Sequence, residues 1–149
     1  MKVHLRQIPA EGLHLEGEEE CPIQDLASED MECAGPLRYS LDVGISEGAV
    51  WASGQIEQPV QLRCVACLET FVHTIDVPEF ALHIDAGGPE LVDFGPMVRE
   101  DLLLNLPAYP RCDRHGGRVC PAPETIENLA AGEAETRKPD WSALDKLDL

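Results

Sequence analysis

Leu37, Tyr39, Leu41, Val43 and Ile45 alternate with Arg38, Ser40, Asp42 and Gly44. Apolar side chains at every second position lie on one face of an extended chain, so this run predicts a half-buried strand. Ser46-Glu47-Gly48 supplies turn chemistry, and Val50, Ala52, Gly54 and Ile56 carry the same period into a second strand. Glu57-Gln58-Pro59 reads as a break, because proline cannot donate to a ladder. Val60, Leu62 and Cys64 then open a third strand. Phe71, His73, Ile75 and Val77 alternate again, Pro78 interrupts, and Phe80, Leu82 and Ile84 form the last strand. Short strands on short links pair antiparallel, so residues 35–85 read as one antiparallel sheet.

The flanks are read from weaker signals. Val3 and Leu5 suggest a short strand within residues 2–8. Residues 11–34 read as an acidic connecting segment: from Glu11 to Glu32 there are nine acids, no Lys or Arg, and Gly12, Gly17 and Pro22. One helical turn near Ile23–Ala27 is expected inside it. After Ala86-Gly87-Gly88-Pro89, a helix is expected over residues 96–107. Pro96 suits a first helical position, and Glu100 and Asp101 are placed near the positive end. Val98, Leu102 and Leu106 form its apolar stripe, with Leu103 beside it, and Pro107 stops it. The helix should cover the sheet and return Cys112 toward the strand corner at Cys64. Residues 108–149 read as a cysteine-containing loop and tail, with a helix from Glu124 to Ala131 and a terminal helix capped by Asp140 and docked through Trp141 and Leu144. The expected fold class is α+β: an antiparallel curled β-sheet of about five or six strands, a covering helix and a C-terminal tail helix, in one domain over 1–149.

The chain's 149 residues are enough for one core, and with aromatics at 5% that core must be mainly Leu, Val, Ile and Ala. Charge changes the picture more. Twenty-eight acids against eleven Lys and Arg give a net charge of −17. Such a surface repels phosphate backbones and anionic membranes at long range, and favours basic partners or simple solubility. No signal peptide is visible behind Met1, and no run of about 18 apolar residues occurs. The expectation is a cytoplasmic protein with reduced cysteines and no membrane association.

Candidate chemistry lies in the cysteines. Cys64-Val65-Ala66-Cys67 is a CxxC knuckle at a strand-to-strand corner, and Cys112 and Cys120 form a second pair downstream. Two distant thiol pairs point to one structural Zn2+ held by Cys64, Cys67, Cys112 and Cys120, with His115 able to replace one thiolate. The alternatives are cysteines that merely pack, and a dithiol redox pair at Cys64 and Cys67. Redox pairs usually open a helix after a parallel strand, which this one does not. Cys21 and Cys33 read as ordinary free cysteines, and His73 and His83 as sheet or surface residues. No nucleophile elbow or phosphate-binding glycine loop occurs, so neither an enzyme nor a small-molecule substrate is expected. Arg63, Arg111, Arg114 and Arg118 surround the cysteine pairs. They either contact RNA phosphates or balance thiolates and nearby acids.

Three stretches resemble the YceD family, the large ribosomal RNA subunit accumulation proteins of bacteria and plastids. Leu62-Arg63-Cys64-Val65-Ala66-Cys67-Leu68-Glu69-Thr70-Phe71 is similar to the family's L-x-C-x-R-C-L-x-x-F. Val98-Arg99-Glu100-Asp101-Leu102-Leu103-Leu104-Asn105-Leu106-Pro107 follows, then Cys112 and Val119-Cys120-Pro121. Lys138-Pro139-Asp140-Trp141-Ser142-Ala143-Leu144-Asp145-Lys146-Leu147 is similar to a closing D-P-R-W-x-x-L-x-x-L, without its arginine. Gly116 and Pro123 stand where the family usually has further cysteines. The resemblance covers most of residues 35–149. It implies a non-enzymatic role in 23S rRNA accumulation and large ribosomal subunit assembly, with a subunit precursor as partner through a basic ribosomal protein or the rRNA. A small zinc-stabilised interaction module outside ribosome biogenesis, and a thiol–disulfide oxidoreductase, are the other readings.

Overall fold

A computed structural model of the chain describes residues 1–122 except Ala86, Gly88 and Pro89. The expected tail helices at 124–131 and 140–147 lie outside the described residues. The architecture is α+β, as expected: a curled, unclosed antiparallel sheet with few helices. Its strands are β1 (Lys2–His4), β2 (Leu13–Glu19), β3 (Met31–Cys33), β4 (Leu37–Ser46), β5 (Ala49–Arg63), β6 (Thr70–Asp85) and β7 (Leu91–Asp93). The helices are α1 (Gly95–Leu104) and the single turn α2 (Cys112–His115).

β5 is the spine. One of its edges pairs along most of its length with β6; the other is shared, first by β4 and then by β3. β2 pairs on the outside of β4, and β1 with β7 makes a separate two-stranded ribbon. Glu47 and Gly48 close the β4–β5 hairpin with φ of 53° and 81°. Two successive positive φ values twist a two-residue loop in the same sense as its strands.

Both expected proline breaks are corrected, since β5 runs through Pro59 and β6 through Pro78. The Pro59 carbonyl accepts the Ala34 N–H at 3.0 Å, so the backbone of Pro59 faces the gap between β3 and β4. No ladder donor is needed there. Buried Gln58 bridges the same gap, donating through Nε2 to the carbonyls of Gly35 and Pro59, both at 2.9 Å. Pro78 sits at a bulge: Gly54 faces Phe80 and Ile56 faces Val77, so two residues of β6 oppose Gln55. The extra residue flips the phase of burial. Phe71 and Ile75 point inward before it, Phe80 and Leu82 after it.

The acidic segment is also more than a connection. Leu13 and Leu15 alternate with His14 and Glu16, and that short period forms β2; Met31 to Cys33 forms β3. The expected turn is a 3₁₀ turn at Gln24–Leu26, with Ile23 buried at its start. Cys21 and Cys33, expected to be free, are joined by a disulfide that ties the segment to the start of the core sheet.

α1 packs on β6 through Val98 and Leu102, both fully buried. It ends at Leu104, before the expected 107. Its first turn carries no acid; the Asp93 carboxylate accepts the Gly95 N–H at 2.9 Å instead. Arg99 on α1 grips the acidic segment, donating to the Pro22 carbonyl at 2.7 Å and to both carboxylate oxygens of Asp25. Among the described residues, no helix is long and apolar enough to cross a membrane.

Candidate metal centre

The β5–β6 connection begins at Cys64, immediately after the ladder ends at Arg63–Thr70. Leu68 donates its N–H to the Cys64 carbonyl at 2.9 Å, and Cys64 donates to the Glu69 carbonyl at 2.9 Å. These two bonds wind the chain into a knuckle that returns it to β6. Leu68 adopts a φ of 63° to complete it, a left-handed conformation that costs a branched residue about 1–2 kcal/mol. The second pair is carried to the same corner by α1 and the loop after it. Val65 donates to the Pro110 carbonyl at 2.9 Å, which fixes residue 112 beside the knuckle. α2 and the turn after it are organised by the Cys112 carbonyl, which accepts from Gly116 at 3.1 Å and Arg118 at 3.3 Å. Cys120 is thereby brought back over the site.

The four sulfurs of Cys64, Cys67, Cys112 and Cys120 all lie within 4.8 Å of one another. Cys64 and Cys120 are 4.0 Å apart, Cys67 and Cys112 3.8 Å. Cys64 and Cys112 are fully buried. The arrangement can hold a metal ion. Its electrostatics need a cation if all four are to ionise. Burial pushes Cys64 up, but the backbone N–H groups of Cys67, Cys112 and Ala66 and the Cys67 side chain outweigh it and bring the thiol down to about 6. The Ala122 backbone draws Cys120 down, yet burial and the neighbouring Cys112, Cys67 and Cys64 sulfurs push it up to about 12. At Cys67 the Glu69 backbone lowers the pKa, and burial with the Cys64 and Cys112 side chains raises it on balance. One thiolate forms readily; crowding like charges makes the next ones costly.

His115, expected as a possible substitute ligand, stands outside this group. Its Nδ1 accepts the Arg111 N–H at 3.1 Å, and its ring lies edge-on to His73 with centroids 5.5 Å apart. Four thiols already make a complete tetrahedral set, so no fifth donor is required. Gly116, where the resembled family usually has a cysteine, is pressed against Phe71: a Cβ there would meet the ring at 2.7 Å. This packing role was not legible from spacing alone.

Of the four arginines read as partner-binding, three face carboxylates within the chain. Arg111 makes two bonds to Asp113, at 3.1 and 2.8 Å, and Arg118 reaches Glu69 at 3.0 Å. Arg63 donates to the Leu68 carbonyl at 3.2 Å and lies 3.6 Å from Asp30. A bond with the Cys112 side chain, and the charges of Cys112, Glu69 and Cys67, hold Arg118 more strongly protonated than usual. Arg114 adds its field to the Asp113 carboxylate, which Arg111 holds below the usual range. Of the two readings, the geometry favours arginines that balance thiolates and nearby acids.

Comparison of the chain with family models, curated proteins and solved structures returns no match.

Proposed function

We propose that this chain is a non-enzymatic factor for large ribosomal subunit assembly, acting in 23S rRNA accumulation and stabilised by one structural zinc ion. The observation that carries the reading is a convergence. Two of the stretches that resemble the YceD family, 62–71 and 98–121, are far apart in sequence and meet in one corner, where their four thiols face each other. An all-thiolate tetrahedral donor set suits zinc and disfavours hard cations such as Mg2+ or Ca2+. A tetrahedron with Zn–S bonds of about 2.3 Å has edges of about 3.8 Å, close to the sulfur spacings of 3.8 and 4.0 Å. Four protein ligands close the shell and leave no position for a substrate, which is the pattern of structural rather than catalytic zinc. Thiol–disulfide exchange is disfavoured for the same pair, because Cys64 is buried and its knuckle joins antiparallel strands instead of opening a helix.

A charge of −17, with the corner arginines engaged by acids, favours docking on a basic ribosomal protein or an RNA–protein surface over naked rRNA. Sedimentation with large-subunit precursors at low salt tests this. The chain should travel with the particles and leave them as salt rises. Failure to co-sediment at low salt, with zinc still bound, would move the protein to the alternative of a zinc-stabilised interaction module outside ribosome biogenesis. The Arg63, Arg114, Arg118 triple alanine variant measures the arginine share, and near-wild-type sedimentation is expected.

A further inference from the structure

The Ala34 N–H donates to Pro59, and the Arg63 N–H to Asp30, at 3.0 and 2.9 Å. Odd-numbered residues at this end of β5 therefore turn their backbone groups toward β3. Their partners on the opposite edge are Val72 opposite Gln61, Thr74 opposite Pro59 and Asp76 opposite Glu57. In an antiparallel ladder such pairs are not hydrogen-bonded to each other, so the N–H and C=O groups of Val72, Thr74 and Asp76 point away from β5. Among the described residues, no strand or loop backbone pairs with that outer edge of β6. The edge from Thr70 to Val77 has no proline, no lysine and no bulge before Pro78, and Asp76 is its one fully charged side chain. Val72 is 55% exposed on it.

We propose that this edge of β6 is a docking site for an extended, lysine- or arginine-bearing polypeptide segment, which adds a strand to the sheet. Main-chain pairing with residues 72, 74 and 76 supplies the affinity, and Asp76 and Glu79 on β6 itself select for cations. Charge also rejects the other occupants. A second copy would bring two chains of net charge −17 together, each presenting Asp76. Residues 123–149 of this chain carry seven acids and three Lys or Arg, the wrong sign for this surface. The proposal deepens the reading of a basic ribosomal protein partner and rests on it only for the partner's place in the cell.

Synthetic peptides of about eight residues, alternating lysine with threonine and valine, test the site without ribosomes. The peptide should slow amide exchange at Val72, Thr74 and Asp76 by roughly tenfold or more at saturation. The same peptide N-methylated on the amides that would face β6, or with glutamate for lysine, should not. Thr74→Pro should abolish the effect, and Asp76→Lys should weaken it, with far-ultraviolet circular dichroism unchanged in both. Equal binding by the N-methylated peptide, or binding without protection of these amides, overturns the proposal. Protection already present in the free chain also overturns it, because the edge is then taken by residues 123–149 or by a second copy, which truncation and sedimentation distinguish. Ribosome association that fails while the peptide result holds removes the assembly reading alone.

Discussion

The β5–β6 pair has two ends held by different physics. At the β4–β5 hairpin end, Val43, Val50, Ala52 and Phe80 are essentially buried and the two-residue loop is set by Glu47 and Gly48. Removal of apolar surface from water stabilises that end, and it needs no bound metal. At the cysteine end, Leu62 and Phe71 supply a thinner apolar layer, and a four-residue α2 is far too short to persist alone. A few backbone hydrogen bonds bring the knuckle, the residue 110 loop and Cys120 together, and at their centre stand four sulfurs able to hold a metal ion. On the proposed zinc reading, the cysteine end is conditional on its ligand and the hairpin end is not.

Cys112→Ser should separate the two ends most strongly. It should lose the metal and destabilise the fold by on the order of 4 kcal/mol, as loss of a structural metal does. Hydrogen exchange should accelerate around residues 64–70 and 111–118 while amides near Val43 and Val50 stay protected. Uniform loss of protection would mean that the two ends are not separable. Leu102→Ala probes the ligand-independent core beneath α1. Its side chain is fully buried, so a denaturant titration should show a loss of about 2–5 kcal/mol, with metal content unchanged. A change under about half a kcal/mol would mean that the stripe does not pack on the sheet.

Gln58→Leu is expected to act more weakly, by about 1 kcal/mol. It strands the Gly35 carbonyl but also removes the Gln58 Oε1, which has no partner among the described residues. The smallest effect is on pH. The Arg99 side chain holds Asp25 below the usual carboxylate range against the opposing pull of burial. A depressed folded-state pKa contributes stability that is present above the unfolded value, near 3.9, and is lost as pH falls through the folded one. Arg99→Gln should flatten this acidic limb of the stability–pH curve while leaving the limb due to thiol protonation, near and below neutrality, in place. If both limbs change together, the clamp on Pro22 and Asp25 and the cysteine corner are coupled.

The residues most easily read from the sequence were those whose pattern is local. Leu37 to Val43 and Val50 to Ile56 alternate cleanly, and both are strands. The thiol cluster was readable because knuckle spacing fixes where two sulfurs point, and α1 was long enough to bring the second pair back. Pro59 and Pro78 misled because a proline's cost depends on what lies beside it: a gap between two partner strands in one case, a bulge in the other. The bulge was nonetheless visible as the shift from odd to even apolar positions between Val77 and Phe80. β2 was hidden by its polarity, since Leu13 and Leu15 alone alternate with solvent-facing His14 and Glu16. The bond between Cys21 and Cys33 depends on the return of β3 to β5, a contact no local pattern encodes.

The central claim is that Cys64, Cys67, Cys112 and Cys120 together hold zinc. Elemental analysis of the purified native chain, with alkylation of its thiols before and after chelation, tests it directly. About one zinc per chain, four thiols shielded until the metal is removed, and loss of order at the cysteine end once it is removed are expected. A metal-free chain with all four thiols freely alkylated and its fold unchanged would contradict it.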